Sequence, residues 1–264
     1  MTAVLSEALE RFRSDYGAHR AAEGRGHGSA EMLSLPYLAS GPLARQWAVR
    51  ARTFDTFVRT VVRPAGRSLD ILDLGAGNGW LSHRLAIEGH RCRAIDIRDD
   101  SIDGLGAAGA FRGQAGFDCL VAAFEQVPLP DQSADLAVFN ASLHYATDLG
   151  AVLAEATRLV RQGGTIAILD SPFYAREADG VAMVAEKHAA AAQRFGDRAE
   201  SLLGLPFIEF LTVERLAEAS APLGLVWHRI RVCYPLWYQM RPFEALVRRR
   251  RTPSRFDLWT ARRP

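Results

Sequence analysis

The stretch that decides the fold of this chain reads Leu69-Asp-Ile-Leu-Asp-Leu-Gly-Ala-Gly-Asn-Gly-Trp-Leu81. A short apolar run, Leu69–Leu74, leads into a glycine-rich turn, and an amphipathic segment, Trp80–Glu88, follows it. This order predicts a strand, a tight turn and a helix, as at the start of a βαβ nucleotide-binding unit. Gly75 and Gly77 permit a sharp turn that a ligand can approach closely. The N–H groups at the helix start favour a negatively charged ligand group such as a carboxylate.

The spacing inside the turn argues against two phosphate-binding patterns. Trp80 stands where the dinucleotide fingerprint G-x-G-x-x-G has its last glycine, and no Lys-Ser/Thr pair follows, so a P-loop is excluded. The predicted second strand, Arg91–Ile97, contains Asp96, roughly 20 residues beyond the first strand. An acid at that distance is placed to accept both ribose hydroxyls. The sequence therefore predicts a nucleoside ligand with free hydroxyls and no pyrophosphate.

Four segments resemble, in the expected order, the class I S-adenosylmethionine-dependent methyltransferases. Asp73-Leu-Gly-Ala-Gly-Asn-Gly79 resembles motif I of that family, and Asp96 resembles its ribose-binding acid. Val127-Pro-Leu-Pro-Asp-Gln-Ser-Ala-Asp-Leu-Ala-Val-Phe-Asn140 resembles the loop into strand four, and Leu159-Val-Arg-Gln-Gly-Gly-Thr-Ile-Ala-Ile-Leu169 resembles the segment through strand five. The resemblance covers Leu69–Asp170 and implies S-adenosylmethionine as the cofactor.

The resemblance also implies which residues contact the cofactor. Asp73 is expected to fix the methionine end or, alternatively, to hydrogen-bond the glycine turn. After strand three, where the family commonly has a Gly-Asp pair, this chain reads Ala122-Ala-Phe-Glu125. Backbone groups and stacking on Phe124 are therefore expected to hold the adenine. The full set of expected cofactor residues is Asp73, Gly75, Ala76, Gly77, Asn78, Gly79, Trp80, Asp96, Ile97, Phe124, Glu125 and Asn140.

The alternation of apolar runs and amphipathic segments predicts an α/β fold with a doubly wound, seven-stranded and mostly parallel sheet. Such a sheet is Rossmann-like, as the resemblance also implies. The predicted strands are Leu69–Leu74, Arg91–Ile97, a segment near Phe117–Ala122, Asp135–Phe139, Thr165–Leu169, Leu225–Val232 and Arg255–Ala261. The predicted helices are Val4–Tyr16, Leu43–Val62, Trp80–Glu88, Leu149–Val160, Ala175–Phe195, Val213–Ala221 and Phe243–Arg250, with a weak helical pattern in Gly104–Gly116.

Two divisions of the chain are expected. Residues 1–66 form an N-terminal helical lid, and residues 67–264 form the S-adenosylmethionine-binding domain, with an inserted helical cap at about 175–211. A lid over the ligand makes Tyr37, Arg45 and Arg50 candidates to contact it. The alternative for either arginine is a solvated position on a surface helix.

Ligands of open α/β sheets bind outside the carboxyl ends of the strands, and this rule selects residues after strands four and five. His144 is the candidate catalytic base, because imidazole titrates near neutral pH. The alternative is that His144 only hydrogen-bonds the neighbouring loop and helix. The expected substrate-binding residues are Tyr37, Tyr145, Phe173 and Tyr174.

Several branches of the family leave sequence marks that this chain lacks. Strand four is followed by Asn140-Ala-Ser-Leu, not by the Asn/Asp-Pro-Pro-Tyr/Phe loop of amino-group methylases. No cysteine ends strand four or five, which argues against attack on cytosine C5 through a thiolate. No carboxylate cluster follows strand four, so no metal ion is expected. A small-molecule enzyme remains, with an oxygen, carbon or nitrogen as methyl acceptor. The aromatic cap residues Phe173, Tyr174, Phe207 and Phe210 favour a hydrophobic or aromatic substrate.

Composition sets the remaining bounds. The net charge of +2 gives no argument for a polyanionic partner, so nucleic acid is not expected. Three cysteines far apart suggest neither a disulfide framework nor a zinc site. No apolar run reaches the length of a membrane span and no signal pattern opens the chain, so a cytoplasmic protein is expected. The oligomeric state stays open.

Three alternatives to a small-molecule methyltransferase remain. The basic run Arg248–Arg251 could serve RNA-directed methylation or contact a membrane surface, although it also suits a helix end in solvent. A nicotinamide oxidoreductase is disfavoured by Trp80. A catalytically silent scaffold that binds S-adenosylmethionine would keep the same glycine turn and Asp96.

Overall fold

A computed structural model of the protein describes residues 28–111, 114, 116–195 and 205–264. The predicted helix Val4–Tyr16 lies outside these residues. Within them, seven strands form one sheet in the order β3-β2-β1-β4-β5-β7-β6. The strands are β1 Asp70–Leu74, β2 Arg91–Asp96, β3 Asp118–Val121, β4 Ala134–Asn140, β5 Val160–Leu169, β6 Trp227–Ile230 and β7 Leu258–Arg262.

The sheet is parallel except at one edge. Strands β1 to β5 pair in parallel, whereas β7 runs antiparallel between β5 and β6. The chain proceeds from β1 outward to β3 and then crosses back to place β4 on the other side of β1. The carboxyl ends of β1 and β4 therefore form the point where the strand order reverses, which is where open α/β sheets bind ligands. This topology confirms the predicted doubly wound, mostly parallel sheet.

Helices cover both faces of the sheet. They are α1 Ser29–Ser34, α2 Ala44–Phe57, α3 Trp80–Ile87, α4 Leu149–Leu159, α5 Glu177–Phe195, α6 Val213–Ser220, α7 Leu236–Gln239 and α8 Arg241–Val247. A π-helical turn, Val58–Val62, extends α2, and 3₁₀ segments occur at Arg63–Ala65, Leu105–Phe111, Leu143–Tyr145 and Ala221–Leu223. Side-chain caps begin two helices: Asp148 accepts from Ala151 N–H at 3.0 Å, and Thr212 accepts from Arg215 N–H at 3.1 Å.

The core lies in two layers, one on each face of the sheet. Along β4, Ala137 and Phe139 face the layer that contains α4 and α6, whereas Leu136 and Val138 face the layer that contains α2 and α3. All four side chains are 0–1% exposed. The alternation is what a strand buried on both faces requires, because successive side chains point to opposite sides.

The N-terminal helix α2 is built into the second of these layers. Trp47 and Phe54 meet the ring of Trp80 edge to face, with ring centroids 5.6 Å and 5.7 Å apart, and Phe57 is fully buried. Burial of each such side chain stabilises the fold by about 1.5–3 kcal/mol. The described part of the predicted lid is therefore a structural layer of the domain, and closure over a ligand by residues 1–66 stays a prediction.

A polar link ties α2 to the end of β5. Thr53 Oγ1 donates to Asp170 Oδ1 at 2.7 Å and lies 3.0 Å from Tyr234 Oη. Tyr234 Oη also donates to the carbonyl of Phe256. All of these side chains except Phe256 are at least nine-tenths buried, so the link is worth more than a solvent-exposed hydrogen bond.

The predicted cap at about 175–211 is described as far as Phe195 and again from Leu205. The segment 205–211 lies against α5: Lys187 pairs with Glu209 at 2.7 Å. A Cβ at Gly180 would stand 2.2 Å from the ring of Phe210, so helix and segment are in close contact. The domain boundaries themselves stay predictions.

Several element boundaries differ from the predicted ones. Strand β5 begins at Val160 instead of Thr165, because Val160 already pairs with Ala134 across a register shift. Gly104–Gly116, which has a weak helical pattern, contains the 3₁₀ segment Leu105–Phe111. Helix α7 was not predicted, since four residues show no periodicity, and α8 begins at Arg241 because Pro242 suits the first turn of a helix.

Candidate active site

The glycine turn after β1 is held against β2 and β4. Gly75 and Gly77 have φ angles of +77° and +56°, in the region where glycine is favoured. Gly75 and Ala76 donate their N–H groups to the carbonyl of Ile95 in β2, at 2.8 Å and 3.0 Å. A Cβ at Gly75 would stand only 2.4 Å from Cβ of Ser142, which follows β4. The turn is therefore a close three-way contact that a larger residue would break.

Asp96, at the end of β2, joins this turn. Its Oδ2 accepts from Gly77 N–H at 2.8 Å and its Oδ1 accepts from Arg98 N–H at 2.9 Å. Burial raises the pKa of this carboxyl, and the two backbone N–H donors oppose that shift. Each oxygen keeps a further lone pair for a ligand hydroxyl. The predicted ribose-binding acid thus lies beside the glycine turn.

A cavity of about 540 Å³ opens at the carboxyl ends of β1, β2 and β4, a size typical of small-molecule sites. We call it the glycine-turn cavity. Ten of the twelve expected cofactor residues line it, and Asp73 and Gly79 do not. Its lining residues are Arg50, Gly75, Ala76, Gly77, Asn78, Trp80, Asp96, Ile97, Arg98, Asp103, Ala123, Phe124, Glu125, Gln126, Asn140, Ala141, Ser142, Tyr145, Thr147, Asp148, Ala151, Leu205 and Phe207.

Asp73 lies beneath the turn instead of in the cavity. It is 1% exposed, and its Oδ2 accepts from Ser82 Oγ of α3 at 3.0 Å. Burial raises its pKa to about 7, and the nearby charge of Asp96 adds to the shift. Gly79 also has a packing position, since a Cβ there would meet the ring of Phe117 at 2.8 Å. Both residues therefore support the turn from below.

At the other end of the glycine-turn cavity, the segment after β3 supplies Phe124 and Glu125. The ring of Phe124 contacts the ring of Phe139 edge to face, with centroids 6.0 Å apart. Burial raises the pKa of Glu125. The aromatic face of Phe124 beside the carboxyl of Glu125, whose pKa is raised, is a suitable environment for a purine ring.

A second cavity, of about 580 Å³, adjoins the first. We call it the arginine cavity, and it shares Arg50, Ala141 and Tyr145 with the glycine-turn cavity. These three residues therefore form the wall where the two cavities meet. The lining residues of the arginine cavity are Arg45, Gln46, Val49, Arg50, Ala141, His144, Tyr145, Asp170, Pro172, Tyr174, Met183, Lys187, Glu209, Trp237, Tyr238, Arg241, Ser254 and Phe256.

The structure places His144, Tyr145 and Tyr174 in the arginine cavity, but not Phe173 or Tyr37. The His144 ring lies against Tyr145 with centroids 4.2 Å apart. Phe173 is 5% exposed and stacks on Trp259 at 5.0 Å, because its backbone bridges to Leu211 and Arg255 and turns the ring into the core. Phe173 thus lines neither cavity.

Tyr37 is 49% exposed and also lines neither cavity. Its hydroxyl donates to Asp55 at 2.7 Å, and Arg84 lies over its ring at 5.5 Å. Burial and the hydrogen bond to Asp55 raise its pKa to about 12. Tyr37 therefore braces the outer face of α2 in this structure.

Asp170 is a site residue that the sequence reasoning missed. It follows β5 directly, lines the arginine cavity and is 6% exposed. Oδ1 accepts from Thr53, whereas Oδ2 has no hydrogen-bond partner among the described residues. Burial raises the pKa of this carboxyl, and the charge of Arg50 and the Thr53 hydrogen bond oppose the shift. The rule that selected residues after strand five should have included it.

Arg50 and Arg45, named as candidates from the sequence, both line the arginine cavity. Arg50 also reaches the glycine-turn cavity, and its guanidinium carbon lies 5.0 Å from the centroid of the Trp47 ring. Two of the five Tyr, Trp and Phe residues in the lining, Trp237 and Tyr238, come from the unpredicted helix α7. The sequence carried no signal for α7, because its four residues are too few to show a period.

The basic run Arg248–Arg251 borders a third cleft of about 340 Å³ that touches the arginine cavity at Tyr174, Arg241 and Ser254. Arg251 pairs with Glu186 of α5 at 2.8 Å and donates to Tyr174 Oη at 3.1 Å. This arginine is therefore engaged within the fold. Arg248 and Arg250 are exposed.

Two further observations concern the described ranges alone. None of the helices in them combines the length and the apolar character needed to cross a bilayer. No group of three or more His, Cys, Asp or Glu side chains in them is arranged to hold a metal ion.

Comparison with known proteins adds to this geometry. Residues 72–168 match a protein family described as a methyltransferase domain. A malonyl-[acyl-carrier protein] O-methyltransferase from Yersinia pestis is 36% identical over 96 residues, which cover 36% of this chain and 34% of that protein. A dimethylglycine N-methyltransferase from Parasynechococcus marenigrum is 38% identical over 118 residues, which cover 43% and 40%. The chain thus spans less than half the length of these curated relatives.

A solved structure shares the fold. The 1,6-didemethyltoxoflavin-N1-methyltransferase of Burkholderia thailandensis, with bound 1,6-didemethyltoxoflavin and S-adenosylhomocysteine, aligns with a TM-score of 0.56 at 18% identity. The alignment covers 100% of this chain and 92% of that one. Together with the glycine turn and Asp96, these matches show that residues 72–168 form a methyltransferase domain with the class I, S-adenosylmethionine-dependent fold.

Proposed function

We propose that this protein transfers a methyl group from S-adenosylmethionine to an oxygen, nitrogen or carbon of a small acceptor bound in the arginine cavity. The observation that carries the proposal is the shared wall at Arg50, Ala141 and Tyr145, where two cavities of small-molecule size meet. This wall lies at the carboxyl end of β4, beside the reversal of strand order, where such sheets hold their ligands.

The residues of the glycine-turn cavity fit the cofactor. Asp96 offers lone pairs to the two ribose hydroxyls, while its backbone donors keep the carboxylate in place. The absence of a Cβ at Gly75 lets Ser142 pack directly against the turn, which holds the turn in place beside the cavity. Phe124 and Glu125 stand where the purine would lie. When bound, S-adenosylmethionine supplies a methyl group that is already activated for in-line displacement.

The main catalytic contribution of this chain is orientation of the acceptor. Correct placement of two reacting groups corresponds to effective molarities of about 10⁵–10⁸ M. The acceptor would rest against Tyr145 and Ala141, with its nucleophilic atom at the shared wall. Cavity walls from α2, α5 and the segment 205–211 would keep water away from the reacting atoms.

Two groups in the arginine cavity could accept a proton from the acceptor. His144 is the base expected from the sequence, and Asp170 has an unpartnered Oδ2 in the same cavity. Burial raises the pKa of Asp170 and so increases the affinity of this carboxylate for a proton. A base contributes about 10²–10⁴-fold, and only when the nucleophile must lose a proton.

The lining supports an acceptor with an aromatic or apolar body. Tyr145, Tyr174, Trp237, Tyr238 and Phe256 all border the arginine cavity. The relatives are named for different acceptors, a malonyl group on a carrier protein in one and dimethylglycine in the other. They support methyl transfer to oxygen or nitrogen, and neither name selects the acceptor of this chain.

The test is incubation with radiolabelled S-adenosylmethionine and a fractionated metabolite extract. We expect label to enter one or a few low-molecular-mass fractions. Asp96→Ala, at a residue that does not line the arginine cavity, serves as the matched control and should slow the transfer when S-adenosylmethionine is below saturation. Label in no fraction would favour the catalytically silent scaffold, and label in RNA, lost steeply with added salt, would favour the RNA-directed alternative.

A further inference from the structure

We infer that the acceptor is an acid: an aromatic or apolar body with an anionic group that Arg45 and Arg241 hold, away from the atom that is methylated. This inference rests on the proposed function, because it assigns the substrate class of the same site. It concerns the charges of the arginine cavity, which the aromatic character of the cap alone did not predict.

The arginine cavity has an excess of cationic side chains. Four of them line it, Arg45, Arg50, Lys187 and Arg241, against the two carboxyls of Asp170 and Glu209. Glu209 is matched by Lys187, whose Nζ lies 2.7 Å from it. Asp170 is buried next to the shared wall and interacts with Arg50. Arg45 and Arg241 therefore remain as positive charge without an opposite charge in the lining.

Aromatic rings, not carboxylates, position these two arginines. The guanidinium carbon of Arg45 lies 5.3 Å from the centroid of Trp237, and that of Arg241 lies 4.6 Å from the centroid of Tyr238. Within the described part of the chain, neither forms an ion pair. A guanidinium stacked on a ring keeps its N–H edge free for planar, bidentate contact with a carboxylate. The pair is thus preorganised for an anion.

The position of the two arginines separates the anion from the reacting atom. Arg50 lines the shared wall, and Arg45 lies five residues earlier on α2, which is about 7.5 Å along the helix axis. Arg45 is exposed, and Arg241 also borders the third cleft, which contains none of the residues of the shared wall, so both lie toward the open side of the cavity. An acceptor held there by its anionic group would present its opposite end to the shared wall. The anionic group therefore positions the acceptor and is not itself methylated.

The third cleft extends the same positive field outward. It is bordered by Arg248, Arg250 and Arg251 and contains Glu186 and Glu244, and it joins the arginine cavity at Arg241. A cleft lined by one predominant charge concentrates the opposite charge near its mouth. An anionic acceptor would be attracted along this cleft, whereas its neutral analogue would not.

The test uses two probes with one aromatic body, 3-(4-hydroxyphenyl)propanoate and its neutral amide, titrated calorimetrically in the presence of saturating S-adenosylhomocysteine. We expect the carboxylate to bind at least about tenfold more tightly than the amide, because hydrogen bonds to charged groups are the stronger ones. Arg45→Gln and Arg241→Gln should each lose most of this preference. Arg249→Gln is the matched control, since Arg249 is exposed in the same basic run and lines none of the three cavities described above.

Equal affinity for the carboxylate and the amide would overturn the inference, as would a preference that Arg45→Gln and Arg241→Gln leave unchanged. Failure of both probes to bind while S-adenosylhomocysteine binds would overturn it as well. A chain that binds the carboxylate with the expected preference but shows no heat with S-adenosylhomocysteine would keep the anion site and refute the proposed function. Circular dichroism of each variant checks that its fold is retained.

Discussion

The glycine-turn cavity and the arginine cavity meet at Arg50, Ala141 and Tyr145, but they are assembled differently. Most of the first is formed by short segments that directly follow β1, β2, β3 and β4. The second gathers residues from α2, the loops after β4 and β5, α5, α7 and the approach to β7. The first is rich in backbone and small residues, and the second in long cationic and aromatic side chains.

This difference follows from what each cavity must recognise. A ligand that is the same throughout a family can be bound by a local turn and one acid, because the sheet topology alone brings them together. An acceptor that varies between relatives needs walls that vary, and insertions outside the sheet supply them. Four predictions test this division, from the largest expected effect to the smallest.

The largest effect is expected in the arginine cavity. His144→Ala should lower turnover of the identified acceptor by about 10²–10⁴-fold if this imidazole takes the proton, with S-adenosylhomocysteine affinity unchanged. His188→Ala, an exposed histidine on α5 that lines neither cavity, should keep full turnover. Steady-state kinetics and calorimetry on the same preparations separate the two parameters.

Asp170→Asn distinguishes the two candidate bases. The amide has nearly the same shape and can still accept from Thr53, but it cannot take a proton from the acceptor. A loss of turnover in Asp170→Asn together with full activity in His144→Ala would transfer the role of base to Asp170. Full activity in both variants would show that no base from this cavity is needed.

The next effect is expected in the glycine turn. Gly75→Ala places a Cβ within 2.4 Å of Ser142, at a φ of +77° that disfavours alanine. We expect S-adenosylhomocysteine binding to weaken by about 100-fold or more, with a loss of about 1–3 kcal/mol in the free energy of unfolding. Gly89→Ala is the matched control, because its φ is +90° and nothing lies within 4 Å. It should lose stability and keep its affinity.

A smaller effect is expected at Asp96. Asp96→Ala removes the acceptor of the ribose hydroxyls and of the Gly77 N–H, and S-adenosylhomocysteine binding should weaken by on the order of 1–3 kcal/mol. Asp118→Ala, an exposed carboxylate on β3, should leave the dissociation constant unchanged. An unchanged constant in Asp96→Ala would remove this residue from the site.

The smallest effect on binding is expected at Asp73, which acts beneath the turn. Burial raises its folded pKa to about 7, so the folded protein holds a proton that the unfolded chain releases near pH 4. This contribution to the free energy of unfolding is therefore largest at low pH and falls as the pH rises from about 4 to about 7.

Asp73→Asn should remove this contribution to the pH dependence of the free energy of unfolding, which is on the order of a few kcal/mol. Urea unfolding at pH 5 and pH 8 measures it, and the difference from wild type excludes the other raised carboxyls, Asp96, Glu125 and Asp170. Asp118→Asn is the control. A large loss of S-adenosylhomocysteine affinity would instead place Asp73 in contact with the cofactor.

The parts that could be predicted from sequence are those that depend on local pattern. The turn from Gly75 to Gly79 and the position of Asp96 follow from one strand, one loop and the parallel register of β1 with β2. The sheet itself was predictable because its buried strands alternate with amphipathic helices. The predicted start of β5, Thr165, lies after the observed start, Val160, because Val160 pairs with β4 directly after α4 ends.

The arginine cavity depends on contacts between distant parts of the chain, which a single sequence does not encode visibly. Phe173 was expected at the ligand because it follows β5, but two backbone bridges turn it inward. Asp170, three residues earlier, lines the cavity instead. Trp237 lies on a helix too short to be recognised, and Arg45 and Arg50 could not be distinguished from solvated arginines until their aromatic partners were known.

The hydrogen bond from Thr53 to Asp170 bears on how the acceptor enters the arginine cavity and how the product leaves it. It fastens the helix that carries Arg45 and Arg50 to the end of the central sheet, and the same helix is already packed on Trp80 through Trp47 and Phe54. The side of the arginine cavity that α2 forms is therefore held in a fixed position. Entry of the acceptor and release of the product must then depend on movement of α5 and the segment 205–211. Substitutions at the close contact between Gly180 and Phe210, which joins these two elements, would change the rate of product release.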